Sequence, residues 1–591
     1  MNRLKDEQPL KTVEKARAIL HGVGIFVVER WNDSGIPGIY SVRIVIIGTN
    51  IGTNGKGATE SLALASGYGE FMERLQNGLL FSSFHSKHKS TYFGCVKVQA
   101  SNFMKNTVLL DAVLFGMKTK SENVADGITD VKAMGTRKDI KIRRLLEWEG
   151  LRDLPENPNR EVLSAPFVDL INGEVEYLPV QMLCAYGSHG MAAGNSYKEA
   201  IVQGLSEIFE RYAQKEILDR RLCPPIIPMS LLSKRFPCIY RYVEFIEAHE
   251  ELSVDLRDCS LGMGIPVFCI CITNKETHRF SVTFGSHPNI GVALERLFTE
   301  VFQGRTLKDV ANRICSDTLP EPFNIKSLFR ASLGNYPMEF WHGDESYAVD
   351  AMLLDQQFDS NEAAYGYYLS LCNRLGMRLY VRDAGYLGFP SVHIIVPGFS
   401  EILCCNDFAL RHSKTARKVT DLILSFDHIC DHDKELIMEF MDFDRKVGLI
   451  RSGQPYCFLK SKGGGLPPTA TVLKFIALIA VSLGNYNRAK SYFDKIAVHP
   501  NILNVEEYAC ASDFCKLMSE GRSIEMSGMI LKRFYRHSAL EKARFMLEGN
   551  PAELIDHSGE DKIEERLLES SASLWARSEG FKSRLRENCS C

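Results

Sequence analysis

One acidic helix face is written twice in this chain, as Ser66-Gly-Tyr-Gly-Glu70-Phe-Met-Glu73-Arg74 and as Gln203-Gly-Leu-Ser-Glu207-Ile-Phe-Glu210-Arg211. A third segment, Glu295-Arg296-Leu-Phe-Thr-Glu300-Val-Phe-Gln303-Gly-Arg305, has the same character. At roughly 100° per residue, Ser66, Glu70 and Glu73 fall within about 60° of one another, as do Arg296, Glu300 and Gln303. Glu199, Gln203, Glu207 and Glu210 share a stripe of about 80°. Opposite them lie Leu64, Phe71 and Leu75; Ile201, Leu205 and Ile208; and Leu294, Phe298 and Val301. Each helix is therefore expected to pack by one face and to offer carboxylates on the other.

A single Glu-x-x-Glu-Arg helix is most simply a solvated surface laced with local ion pairs. Three of them, two near-duplicates, point instead to one shared centre. Carboxylates brought together out of water repel, so a cation should sit among them, and neutralising Glu207 or Glu300 should relieve the repulsion. An oxygen-only set without His or Cys at ligand spacing suits Mg²⁺, which bridges to phosphate oxygens and so implies a nucleotide.

These residues carry a family resemblance. The pattern Ser-x-x-x-Glu-x-x-Glu-Arg, then Gly194-Asn195-Ser196 leading into Glu199-x-x-x-Gln203-x-x-x-Glu207-x-x-Glu210-Arg211, then Glu295-Arg296-x-x-x-Glu300, resembles the YcaO family. The flanks Thr53-Asn54-Gly55-Lys56-Gly57-Ala58, Gly190-Met191-Ala192-Ala193-Gly194 and Phe284-Gly285-Ser286-His287-Pro288 agree. The resemblance covers roughly residues 1–400, and the helical tail resembles the enterobacterial branch of the family. It implies a fold that binds ATP with Mg²⁺ and activates a backbone amide by phosphorylating its oxygen. By resemblance, Glu70, Glu73, Glu207, Glu210 and Glu300 surround the metal. Ser66, Asn195, Glu199, Gln203, Arg211 and Arg296 complete the nucleotide pocket, with Lys5 and Thr12 contributed by the N-terminal segment. Arg296 and Glu300 are the expected catalytic pair, the arginine offsetting charge on the γ-phosphoryl.

The implied chemistry begins with a nucleophile adding to an amide carbonyl. A Cys, Ser or Thr side chain gives an azoline, external sulfide a thioamide. Azoline-forming relatives often end in a Pro-x-Pro-x-Pro tail, whereas this chain ends Arg586-Glu-Asn-Cys589-Ser-Cys591 and has no proline after Pro551. Branch members without that tail are associated with the radical enzyme that methylthiolates an aspartate of a small-subunit ribosomal protein. An accessory factor in that methylthiolation is thus the leading expectation. A peptide-modifying thioamide or azoline synthetase (cyclodehydratase) is the alternative, and a catalytically silent scaffold is the third. The implied partners are a protein or peptide substrate, a radical methylthiotransferase or a ribosomal protein. The oligomeric state is open, a homodimer included.

Other readings are weaker. Asn54-Gly55-Lys56-Gly57 is not a P-loop, since Asn50 stands where a glycine is needed and Gly57 where Ser or Thr is needed. Protein-kinase signatures are absent. Seventeen scattered cysteines without a Cys-x-x-Cys pair support neither structural zinc nor a disulfide framework. Cys269 and Cys271 read as small core residues of a strand. A net charge of −3 gives no basic footprint for direct nucleic-acid binding. The charged start and the short apolar run near Leu473 to Leu483 argue against export and membrane insertion, so a cytoplasmic protein is expected.

Along the chain, Lys11 to Leu20 reads as a helix, with strands at Gly24 to Glu29 and Ile39 to Ile47. The first acidic helix spans roughly Thr59 to Leu75, and residues of about 85–160 read as a variable insertion. Asn172-Gly173 signals a hairpin; Pro266 to Ile272 with Phe280 to Phe284, and Arg378 to Arg382 with Val392 to Val396, form further strand pairs. Hairpins alternating with acidic helices predict an α+β domain, residues 1–403, with antiparallel sheets backing the helices. From about 405 onward strand signals disappear. Residues 404–591 are expected to be helical and tetratricopeptide-like, with a linker at Lys462-Gly-Gly-Gly465 and a charged last helix from Asp561 to Arg586.

Overall fold

The fold was analysed as a computed structural model. The structure describes residues 4–47, 51–80, 95–99, 108–115, 161–183, 186–303, 305–307, 310–311, 313–314, 324–325, 328–329, 335–402, 407–446, 468–498 and 505–555, with single residues 459, 466 and 502. Most of the expected insertion, the Lys462-Gly465 linker, the charged C-terminal helix and Cys589 and Cys591 lie outside the described residues. Two compact units are present. One holds the described residues up to Ile402 except those between 319 and 333; the other holds those, with the helices from Asp407 onward.

Three antiparallel sheets frame the first unit. Strands β1 (Val27–Asp33), β2 (Tyr40–Ile46) and β3 (Gly52–Gly57) form one meander. Strands β4 (Val96–Gln99), β5 (Glu161–Asp169), β6 (Val175–Pro179), β7 (Met191–Ala193), β12 (Tyr380–Asp383) and β13 (Ser391–Ile395) form a six-stranded sheet, and β8 (Leu252–Asp258), β9 (Val267–Asn274), β10 (Arg279–Ser286) and β11 (Arg313–Ile314) a four-stranded one. The Asn172-Gly173 turn closes the β5–β6 pair, where Val168 faces Val175. β3 and β8 were not legible as strands in the sequence. β3 is Gly-Thr-Asn-Gly-Lys-Gly, a composition depleted from strands, and it pairs because β2 offers its other edge.

Setting short helical turns aside, the helices of this unit are α1 (Pro9–Gly22), α2 (Glu60–Gln76), α3 (Val108–Phe115), α4 (Tyr197–Asp219), α5 (Met229–Arg235), α6 (Pro237–Glu247), α7 (Ile290–Val301) and α8 (Asn361–Arg374). The three acidic helices begin at side-chain caps: Thr59 accepts from Leu62 N, Ser196 from Glu199 N and Asn289 from Gly291 N. Their apolar faces build two cores. Phe71, Met72 and Leu75 pack with Val13, Ala16 and Leu20 of α1 and with Val42, Ile44 and Ile46 of β2. Leu294, Leu297, Phe298 and Val301 pack on Leu256, Ile270 and Ile272 and on Ile239 and Val243 of α6. Helix α4 lies against β7, β13, β10 and α8, so it joins the six-stranded sheet to the four-stranded one.

Three described histidines of this unit are buried, His287 at the cavity described below and His189 and His393 away from it. His393 on β13 lies edge-on to Phe167 with ring centroids 5.6 Å apart, and His189 precedes β7. Burial pushes His393 down to about 3, helped by Arg382, and pushes His189 well below its ordinary value, helped by Arg211 and His393. Both therefore fold as neutral rings while the unfolded chain takes up protons near 6.5. Their stabilisation is complete above about pH 6.5 and is lost as pH falls below it, for His393 down to about 3, with a slope of about 1.4 kcal/mol per pH unit for that ring. His393→Phe should flatten that acid limb. Denaturant midpoints of both proteins at pH 7 and pH 4.5 measure it; parallel losses would show that the ring does not titrate on unfolding.

The second unit contains α9 (Asp407–Leu424), α10 (Asp431–Lys446), α11 (Pro468–Ser482), α12 (Tyr486–Ala497), α13 (Val505–Ser519), α14 (Ile524–Leu531) and α15 (His537–Glu548). Helices α11, α12 and α13 pack in succession, with Gly484 at φ +70° in the first turn. No helix among the described residues is long and apolar enough to cross a membrane.

Candidate nucleotide site

The polar faces of α2, α4 and α7 converge on one cavity of about 480 Å³, closed on its other sides by the N-terminal segment and β3. Every residue singled out from the sequence lines it: Lys5, Thr12, Ser66, Glu70, Glu73, Asn195, Glu199, Gln203, Glu207, Glu210, Arg211, Arg296 and Glu300.

At one end the contacts fix the N-terminal segment. Lys5 Nζ reaches Glu199 Oε1 at 2.8 Å, and the Asp6 amide donates to Glu199 Oε2 at 3.2 Å. Thr12 Oγ1 donates to Asn195 Oδ1 at 2.7 Å, while Asn195 Nδ2 donates to Glu199 Oε2 at 3.0 Å. Burial works against the Glu199 charge, but the Lys5 ammonium and these hydrogen bonds hold its carboxyl below the usual range. Arg296 donates to the Ser286 carbonyl at 3.1 Å and to Gln203 Oε1, which fixes its guanidinium across the gap between α7 and α4.

At the other end the carboxylates already have protein cations. Arg74 lies 3.5 Å from Glu70 and 3.1 Å from Glu73, Arg211 lies 2.8 Å from Glu207, and Lys56 is ion-paired to Glu300. Among the described residues, no three carboxylates, imidazoles or thiolates surround one point closely enough to hold a metal in this arrangement. The charge remains strained. Burial pushes Glu73 up to about 8, Arg74 opposing and Glu207 adding to the rise; burial and Glu207 push Glu210 up to about 7. Burial lowers Lys56 to about 8 against the pull of Glu70, Glu210 and Glu207. Glu73 Oε1 and Glu207 Oε1 are buried and rest on the ion pairs with Arg74 and Arg211 alone, with no aligned hydrogen bond among the described residues. A cavity of this size, whose crowded carboxylates the protein cations offset only in part, fits a hard divalent ion bound with a polyphosphate.

Sequence reasoning missed Lys56, His287 and Asn361, which also line the cavity. For Lys56 a signal existed. Strand alternation puts Gly55 and Gly57 on one face of β3 and Lys56 on the other. His287 lay in the flank Phe284 to Pro288 that agreed with the family pattern, whereas Asn361 carried no signal. His287 accepts from the Asn289 amide at 3.0 Å, and Asn361 donates to the Leu4 carbonyl at 3.0 Å.

Residues 54–400 match the profile of the YcaO cyclodehydratases, described as ATP- and Mg²⁺-binding. The chain belongs to the YcaO family. Ribosomal protein S12 methylthiotransferase accessory factor YcaO of Escherichia coli strain K12 is 29% identical to it over 429 residues, 71% of this chain and 70% of that one. An uncharacterized protein of Haemophilus influenzae is 27% identical over 453 residues, 74% and 72% of the two chains. Among solved structures, a heterocyclase in complex with substrate and cofactor aligns with 18% identity and a TM-score of 0.46, covering 67% of this chain and 53% of the other. This chain thus spans about half the length of that heterocyclase. YcaO from Methanopyrus kandleri bound with AMPPCP and Mg²⁺ aligns with 17% identity and a TM-score of 0.39, covering 67% and 92%.

Proposed function

We propose that this YcaO-family chain is a Mg²⁺- and ATP-dependent enzyme that phosphorylates an amide oxygen, and that it acts as an accessory factor in methylthiolation of a small-subunit ribosomal protein. The observation that carries the catalytic half is the convergence of α2, α4 and α7 with Lys5 and Arg296 on one cavity. The accessory role rests on the name of the E. coli relative. Bound Mg²⁺-ATP would supply an electrophilic γ-phosphoryl.

The chain's own residues do the rest. Glu70, Glu73, Glu207, Glu210 and Glu300 offer the oxygens that would hold the metal, and Ser66, Gln203 and Arg211 line the walls beside them. The Lys5, Thr12, Asn195 and Glu199 cluster pins the N-terminal segment over the nucleotide end. Arg296, held by Ser286 and Gln203, needs little reorganisation to meet developing phosphoryl charge. The family description as cyclodehydratases favours a second reading, azoline or thioamide synthesis on a peptide, which would use the same site.

In this reading residues 1–403 form the catalytic part, and residues 404–591 form a tetratricopeptide-like part that recognises a protein. Isothermal titration of ATP with and without Mg²⁺, on the full chain and on a chain ending at residue 403, tests both. ATP should bind only with Mg²⁺ in either protein, while pull-down of a radical methylthiotransferase or a ribosomal protein should need the full chain. Equal affinity with and without Mg²⁺ would sink the metal assignment. Loss of nucleotide binding in a folded truncation would make the second part a component of the catalytic architecture.

A further inference from the structure

Lys56 is the cation whose placement the nucleotide reading leaves unexplained. Its neighbours Gly55 and Gly57 face α2, where a side chain has no room, so alternation sends Lys56 across β3 toward α7. There the ammonium pairs with Glu300 and donates to Gln303 Oε1 at 3.4 Å, its side chain only a quarter exposed. It therefore stands on a carboxylate that a metal would need.

We propose that Lys56 is the resident counter-cation of the carboxylate cluster, a positioning residue that holds Glu300 while no ion is bound and releases it only when metal and nucleotide arrive together. This rests on the metal role assigned to the carboxylates above. A divalent ion entering alone must break the Lys56–Glu300 pair and leave a largely buried ammonium facing a doubly charged ion, in competition with it for Glu70, Glu207 and Glu210. Phosphate oxygens provide a new partner, since an ammonium has three donors and no acceptor. Metal and nucleotide are then coupled through Lys56. Linkage makes the coupling reciprocal: each ligand raises the affinity of the other by the same factor.

The test uses the full chain and three variants. Lys56→Met and Lys56→Gln remove the charge; Lys56→Arg keeps it. Mn²⁺ alone, followed by its electron paramagnetic resonance signal, and ATP with and without Mg²⁺, followed by calorimetry, give the two affinities and their coupling. The neutral variants should bind Mn²⁺ alone about tenfold more tightly than wild type or better, and the Mg²⁺-dependence of ATP binding should shrink by a comparable factor. Lys56→Arg should restore wild-type behaviour. Mn²⁺ affinity in the neutral variants equal to or below wild type overturns the inference, while Mg²⁺-dependent ATP binding by wild type would leave the nucleotide reading standing. If wild type binds ATP equally with and without Mg²⁺, that reading fails first. Should the neutral variants unfold, refolding by added Mg²⁺ supports the counter-cation role, and failure of Mg²⁺ to refold them overturns it.

Discussion

Glu210→Gln is expected to abolish Mg²⁺-ATP turnover and yet to raise the melting temperature of the ligand-free protein. Burial and the neighbouring Glu207 already work against the Glu210 charge, pushing its carboxyl up to about 7, so an amide of the same shape relieves the ligand-free fold. The same amide offers a metal one full charge less. Loss of a supporting partner around a metal costs about 10–100-fold, and loss of a direct carboxylate should cost at least about 100-fold in turnover. Glu300→Gln should share the catalytic loss and show the opposite stability change, because it strips Lys56 of its ion-pair partner. Glu207→Gln similarly removes the partner of Arg211. The expectation that neutralising Glu207 or Glu300 relieves repulsion is revised by these pairs, and relief is now expected at Glu210 instead. Melting curves and phosphate release on the three variants decide the matter. Wild-type turnover in Glu210→Gln would move that residue to an ordinary structural role.

Gly55→Ala should produce a large loss of stability for the addition of one methyl group. A Cβ at Gly55 would lie 2.1 Å from the Ala63 carbonyl oxygen and 2.5 Å from the Gly67 amide nitrogen, both backbone atoms of α2. No rotamer relieves that contact. Strand β3 and helix α2 must move apart, opening the core that Ala63, Tyr68 and Phe71 share with β2. Overpacking of this kind costs about 3 kcal/mol or more, enough to lower the melting temperature by several degrees or to leave the protein insoluble. Nucleotide affinity should fall with it, since Glu70, Glu73 and Lys56 ride on the displaced elements. An unchanged melting temperature would show that α2 can retreat freely from β3.

Several features were legible in the residues themselves. The period of the carboxylates set three helices and their polar faces, and the apolar residues on the other side, such as Phe71, Leu205 and Phe298, are buried as that period requires. Asn172-Gly173 marked its hairpin, where the four-residue loop between Asp169 and Glu174 ends on Gly173 at φ +73°, a conformation that favours glycine. Cys269 and Cys271 are fully buried strand residues, which burial holds as thiols. The family pattern marked the residues that meet around one cavity, down to Lys5 and Thr12 at the far N-terminal end.

What the pattern of single segments could not contain is which groups meet across segments. The sequence demanded a cation for the acidic faces, and the i,i+4 spacing of Arg74 and Arg211 already offered local ones; only the fold shows that Lys56 stands there too, because its distance from Glu300 depends on β3 lying beside α7. The glycines of Asn54-Gly55-Lys56-Gly57 resembled a phosphate loop in composition, and their use as a close-packed strand follows from a helix some ten residues later in the chain, so near that a Cβ at Gly55 would stand 2.1 Å from the Ala63 carbonyl oxygen. Asn361 has no local signal at all, and the flank that holds His287 does not say that it reaches the cavity, since each comes from a different element. Periodicity is a property of one element and is written in its residues. Charge pairing, close approach and burial are properties of two elements at once, and only the tertiary structure sets the distance between them.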